Sequence, residues 1–256
     1  MLKRLFTARR DARAPASVPD GMRVYAIGDI HGRLDLFDDL LALIAADEAG
    51  RGPAQTVLVL LGDLVDRGPD SAGVVERVRA LSAEREVRLL LGNHEEVFLA
   101  ALTGKAEAVR SFCRIGGRET VLSYGTSPEA YEAMDYAEVA ERLVASVPGA
   151  HHRMLDNSED MVVIGDYAFV HAGVRPGIAL EEQRRSDLRW IREPFLSSRE
   201  YHGKTVVHGH TIVPDPEFVG DRIGIDTGAY ATGRLTALGL EGQVQWLLAT
   251  EPDSNT

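Results

Sequence analysis

The chain has 256 residues, 45% of them hydrophobic and 26% charged, with a formal net charge of −11. That composition excludes wholesale disorder, collagen-like repeats and coiled coils. An acidic body repels phosphate backbones, so no nucleic-acid partner is expected. The longest apolar run, Leu40–Ala46, is far shorter than the roughly 20 residues of a membrane-spanning helix.

Residues 1–22 hold Lys3, Arg4, Arg9, Arg10 and Arg13 against Asp11 and Asp20, with no apolar stretch behind them. The segment reads as a frayed basic tail and not as a secretory signal. A single cysteine, Cys113, cannot form an internal disulfide, which suits a reducing, cytoplasmic setting. One folded domain is expected over 23–250.

From Arg23 short apolar runs alternate with helical patterns. Val24–Ile27 is followed by Leu34–Asp47, where Leu36, Phe37, Leu40, Leu41 and Ile44 share a helix face. Val57–Leu61 is followed by a helix opening near Pro69 and Asp70, and Val87–Leu91 by one through Val97, Phe98 and Leu102. Three β-α units in a row predict a mainly parallel sheet with its loops on one edge. Residues 105–160 are mostly helical in pattern, with a break at Gly116–Gly117 and a new helix opening at Pro128. The remainder is strand-rich: Met161–Ile164, Tyr167–Val170, Thr205–Val207, Arg222–Ile225, Leu235–Leu240 and Val244–Leu248. The predicted fold is α/β, a two-sheet mixed β-sandwich flanked by helices.

Five apolar runs end in chemically similar blocks. These are Gly28-Asp29-Ile30-His31-Gly32, Gly62-Asp63-Leu64-Val65-Asp66-Arg67-Gly68, Gly92-Asn93-His94-Glu95, His171-Ala172-Gly173 and Gly209-His210-Thr211. Any one of them alone is ordinary turn chemistry. Together they deliver Asp29, His31, Asp63, Asn93, His171 and His210 to the C-terminal strand edge, where open α/β sheets bind ligands. Carboxylate, amide oxygen and imidazole without thiolate suit Mn²⁺, Fe, Zn²⁺ or Ni²⁺. Six candidate ligands exceed the four of a closed zinc site. Two ions about 3.5–4 Å apart would use them all.

The first three blocks resemble the signature blocks of the phosphoprotein phosphatase branch of the calcineurin-like metallophosphoesterases, and the chain is similar to small bacterial and phage serine/threonine phosphatases of that branch. The resemblance implies a metallophosphoesterase catalytic domain holding two divalent ions, with Mn²⁺ the expected metal. Asp29 and His31 would hold the first ion, Asp63 would bridge both, and Asn93, His171 and His210 would complete the second. His94 would be the general acid, held by Asp66, while Arg67 and Arg192 would bind phosphate oxygens. A metal-bound water, its pKa lowered from 15.7 to about 7, would supply the nucleophile.

Relatives specific for diadenosine tetraphosphate typically lack an aspartate at the Asp66 position and end the third block with Asp. Asp66 and Glu95 therefore point toward phosphorylated proteins or peptides as substrate. Two departures lie near the expected substrate groove: Ile115 before Gly116-Gly117, and Asn157-Ser158-Glu159-Asp160-Met161 in place of a Leu-Pro-Leu-like segment. His208 is expected to be a buried neutral histidine, and His151, His152 and His202 to be solvated. Gly203-Lys204-Thr205 lacks the preceding glycine of a P-loop. The leading expectation is a serine/threonine protein phosphatase. The alternatives are a dinucleoside-polyphosphate or nucleotide hydrolase, and a non-catalytic scaffold of the same fold.

Overall fold

Alternating side chains along the first strands decide how the layers stack. In the computed structural model, which describes residues 14–251 apart from Tyr201, β1 (Met22–Ile27) and β2 (Gln55–Leu60) run parallel in register. Tyr25, Ile27, Leu58 and Leu60 join a core packed by helices, whereas Val24, Ala26, Val57 and Val59 join a second core between two sheets. Strands buried on both faces read as continuous apolar runs, which is how they appear in the sequence.

The first sheet continues with β3 (Glu86–Leu89), parallel to β2. The second sheet contains β4 (Met161–Ile164), β5 (Tyr167–Val170), β6 (Thr205–His208), β7 (Glu217–Val219) and β8 (Arg222–Gly224) in the order β4-β5-β6-β8-β7. β9 (Thr236–Glu241) and β10 (Val244–Ala249) return antiparallel to the first, whose order is β10-β9-β1-β2-β3. Tyr167, Phe169, Val207 and Ile223 from one sheet meet Val24, Val59, Leu238 and Leu240 from the other. The predicted mixed two-sheet sandwich is the observed one. Among the strands of the described residues, only the three-residue β7 has no counterpart in the sequence reading.

Helices α1 (Leu34–Gly50) and α2 (Ser71–Glu84) cover the first sheet, α2 capped by the Asp70 carboxylate accepting from the Gly73 amide. α3 (Asn93–Ala101) starts earlier than its apolar pattern suggests, so Asn93, His94 and Glu95 sit in its first turn and not in a loop after β3. The predicted helical middle holds α4 (Ala106–Phe112), a π-turn at Cys113–Gly117, and α5 (Arg118–Ser123). It continues with α6 (Pro128–Ala133), α7 (Tyr136–Ser146) and α8 (Gly149–Asp156).

Two expectations need correction. Lys3, Arg4, Arg9, Arg10 and Arg13 lie outside the described residues, but part of the expected tail is packed. Val18 is buried and its amide donates to Gly242, while the Asp166 amide donates to the Ser17 carbonyl. This stretch clips the turn after β4 to the β9–β10 hairpin, so the folded part begins before residue 23. His151 is also buried, with Nδ1 3.0 Å from the Tyr124 hydroxyl and Nε2 2.9 Å from Glu76. It ties α8 to α2, a role no local pattern announces.

Candidate active site

Each predicted ligand block lies beyond a strand end at one edge of the sandwich, and the backbone there is unusual. His31, Asp63, Asp66, Arg67 and His210 have φ of 47°, 49°, 74°, 69° and 63°, and they are the only non-glycine residues described with positive φ. Left-handed backbone costs a side-chain-bearing residue roughly 1–2 kcal/mol, and such strain concentrates at functional sites. Gly62, with φ +96°, is required for contact: a Cβ there would lie 2.6 Å from the Gly92 amide nitrogen.

Asp63 is central. One carboxylate oxygen lies 3.4 Å from His171 Nε2, and the other lies 3.5 Å from His31 Nε2 and 3.9 Å from His94 Nε2. Two clusters able to hold an ion therefore share this residue, His31–Asp63–His94 and Asp63–His171–His210. His31 Nδ1 lies 2.8 Å from the Val65 carbonyl and His171 Nδ1 2.8 Å from that of Leu61. Donating Nδ1–H there leaves each Nε2 lone pair facing the cluster. Burial pushes His31 and His210 down to about 3 and lowers His171 as well, so all three imidazoles are neutral at pH 7.

The donor chemistry fits cations. Neutral His171 spends its single N–H on Leu61, so its Nε2 and Asn93 Oδ1, 3.0 Å apart, meet as two acceptors. Asn93 Oδ1 also lies 2.9 Å from His210 Nδ1. Ligand atoms about 2.0–2.2 Å from a common ion are spaced about 3–3.5 Å from one another. Asp29 stands outside both compact clusters. Its two oxygens accept the His210 amide at 3.2 and 3.0 Å, and it hydrogen-bonds to the buried Asp226. Burial, Asp226 and Asp63 raise Asp29 well above the usual carboxylate range, and burial pushes Asp226 up to about 6. A buried acid pair of this kind is relieved by a proton or a metal ion.

His94 and Asp66 form a buried dyad, Nδ1 to Oδ2 2.6 Å. Thr120 donates to the other Asp66 oxygen at 2.6 Å, and the Asp66 amide donates to Ser71 and Thr120. Burial alone would lower His94, but Asp63 and the Asp66 hydrogen bond outweigh it and raise its pKa. The Arg67 guanidinium spans the two imidazoles, 3.0 Å from His31 Nε2 and 2.9 Å from His94 Nε2, beside the Tyr230 ring. Arg192 is exposed on the wall of the same cavity, whose volume is about 660 Å³.

Several residues have roles that differ from, or are missing in, the sequence reading. Glu95 is fully buried, and its carboxylate accepts amides from Asp63, Leu64, Val65 and Gly92 at 2.7–3.1 Å. It splices the second block to the third and does not line the cavity, so its identity carries no direct information about substrate. Asp226 had a readable signal: Ile225-Asp226-Thr227-Gly228 repeats the strand-acid-glycine pattern of the other blocks. Of the two departures, Ile115 lines the cavity but residues 157–161 do not. Glu159 pairs with Arg88 and exchanges backbone hydrogen bonds with Leu89 and Leu91, a strut between the sheets. His208 is buried and pushed down to about 4 by burial, as expected.

A two-sheet sandwich with Asp, Asn and His gathered at one edge defines a metal-dependent phosphoesterase. The match of residues 22–239 to the calcineurin-like phosphoesterase family places the chain in that family. It is 35% identical over 187 residues to a symmetrical bis(5'-nucleosyl)-tetraphosphatase of Acidovorax sp. (strain JS42), covering 71% of this chain and 54% of that relative. The chain thus aligns with about half the length of that curated relative. It is 29% identical over 238 residues to an asymmetrical bis(5'-nucleosyl)-tetraphosphatase, PrpE, of Bacillus cereus (strain AH820), covering 85% and 90% of the two chains. A crystal structure of a candidate diadenosine tetraphosphatase superposes with a TM-score of 0.64 at 22% identity, covering 92% of this chain and 99% of that one. Both curated relatives are named as bis(5'-nucleosyl)-tetraphosphatases, and neither as a protein phosphatase.

Proposed function

We propose that this protein is a dinucleoside-polyphosphate hydrolase whose site holds two divalent ions through Asp29, His31, Asp63, Asn93, His171 and His210, with Mn²⁺ the proposed metal. The observation that carries the reading is the division of the Asp63 carboxylate between two imidazole clusters, in a chain whose curated relatives include two tetraphosphatases. When bound, such ions neutralise phosphoryl oxygens and acidify water.

The chain's own groups do the rest. Arg67 and Arg192 supply planar guanidinium forks that match phosphoryl oxygens. His94 presents Nε2 to the cavity. Protonated there, it donates to the leaving oxygen while Arg67 moves from that nitrogen onto the phosphoryl group, and Asp66 and Thr120 keep Nδ1 protonated. Addition of one water to diadenosine tetraphosphate gives two ADP or ATP plus AMP.

A second reading, a phosphoserine/phosphothreonine protein phosphatase, is favoured by the His94–Asp66 dyad itself. A serine alkoxide needs a proton donor more than a departing phosphate does. To separate the two, reconstitute the protein with Mn²⁺ and compare diadenosine tetraphosphate with a phosphoserine peptide, for wild type and Asp63→Asn. Dinucleotide turnover well above peptide turnover, abolished in Asp63→Asn, is expected. The reverse preference would establish the second reading, and equal rates for the two proteins would sink both.

A further inference from the structure

The cavity offers more than the phosphoryl site requires. Trp190 ends α9 (Arg185–Trp190) and is 43% exposed, yet its indole is fixed: Nε1–H donates to Glu96 at 2.8 Å. Glu96 belongs to α3, the helix that carries Asn93 and His94. The neighbouring Arg189 bonds Asp160 through Nε at 2.7 Å and approaches Glu96 at 3.5 Å, which braces the same corner. An exposed aromatic held this firmly gives the fold little burial in return. Ile212, 47% exposed, lines the same cavity.

Charge tells a matching story. In a chain of net charge −11, Arg67, Arg114 and Arg192 all line this one hollow. Among the described residues, neither Arg114 nor Arg192 has a side-chain hydrogen bond or ion pair within the protein. Arg67 and Arg192 are already assigned to the transferred phosphoryl group, which leaves Arg114 over. Its position on the π-turn beside Gly116, whose carbonyl accepts the Arg67 amide, puts it next to the phosphoryl end. A volume of about 660 Å³ falls within the roughly 300–1,000 Å³ of clefts that enclose whole small ligands.

We propose that Arg114 and Trp190 form a leaving-group subsite for the nucleotide portion of the substrate, Arg114 holding a phosphate next to the one attacked and Trp190 stacking on the base. The inference rests on the dinucleotide reading and names the residues that would make it selective. Every base offers a face to an aromatic ring, and a guanidinium matches a phosphate with charge-assisted hydrogen bonds, so each contact is large enough for the tenfold selectivity tested below.

The test uses two substrates and one binding signal. Measure kcat/KM of wild type, Trp190→Ala and Arg114→Ala on diadenosine tetraphosphate and on glycerol phosphate, which has neither a base nor a second phosphate. Trp190→Phe and Arg114→Lys report partial rescue. In parallel, titrate ADP and pyrophosphate into a Trp246→Phe variant, where Trp190 is the remaining tryptophan. Trp246 packs on Tyr25 and Arg51, away from the cavity. The subsite predicts that each alanine variant loses at least about tenfold more on the dinucleotide than on glycerol phosphate, and that ADP quenches Trp190 fluorescence more than pyrophosphate does. Equal losses on both substrates, or no ADP quench, would overturn the subsite while wild-type dinucleotide turnover keeps the broader reading. Wild type that cleaves glycerol phosphate but no dinucleotide would remove the reading and the subsite together.

Discussion

The Arg67 amide donates to the Gly116 carbonyl at 3.1 Å, and a Cβ at Gly116 would lie 2.8 Å from Arg67 Cγ. The π-turn thus sets where the guanidinium stands. Gly116 has φ +118°, a backbone that a side chain adopts only under strain. Gly116→Ala is expected to cost about 1–2 kcal/mol of stability and to raise KM by displacing Arg67. Urea unfolding and steady-state kinetics check both. An unchanged KM would show that Arg67 takes its position from elsewhere.

Glu95 satisfies four buried amides with one carboxylate. Glu95→Gln replaces one acceptor oxygen with a donor, so buried N–H groups lose their partner at about 1–3 kcal/mol. The expected result is a lower melting temperature and weaker Mn²⁺ binding by calorimetry, because Asp63 and Asn93 lie on the two segments that Glu95 joins. Glu95→Asp should lower stability without altering the ratio of dinucleotide to phosphopeptide turnover. A changed ratio would return this acid to the list of substrate determinants.

Asp66 acts on His94 through charge and hydrogen bonding. Both raise the imidazole pKa, so the protonated acid persists to higher pH than in a free histidine. Asp66→Asn removes that support, and the alkaline limb of kcat/KM should move to lower pH. The fall in kcat should be large for a phosphoserine peptide, on the order of 10²–10⁴-fold, and much smaller for a dinucleotide whose leaving group is a phosphate. A limb that stays in place would exclude His94 as the titrating acid.

His208 gives a stability prediction separate from the phosphoryl chemistry. Burial pushes its pKa down to about 4 from an ordinary value of 6.5, so the folded state keeps it neutral while the unfolded chain takes a proton. Its contribution is fully present above pH 6.5 and is lost as pH falls from there toward 4. Between pH 7 and pH 5 the metal-free protein should lose about 2 kcal/mol through this one group. His208→Leu should flatten the stability–pH curve by that amount in chelator-treated samples. An unchanged slope would place the acid sensitivity in other groups.

The ligand blocks were legible because each is local: a strand, a glycine and a donor within five positions, repeated along the chain. Nine of the ten strands among the described residues were legible for the same reason. What escaped depends on contacts between distant segments. Thr120 and Ser71 reach Asp66 from two different helices, and Glu96 on α3 orients Trp190 on α9. Glu95 does a different job from the one its position in the third block suggests. Its type suggested a substrate class, whereas its burial makes it a backbone splice. His151 had no motif, and only the packing of α8 against α2 turns it inward.

Five left-handed residues, His31, Asp63, Asp66, Arg67 and His210, bear the chemistry of this site. Glycine at any of them would relax the main chain and erase the working side chain in the same step. Laboratory selection for heat tolerance alone would therefore drift toward sturdy, inert catalysts. Screens for robust variants should sample sequence away from these five hinges and retain an activity readout throughout.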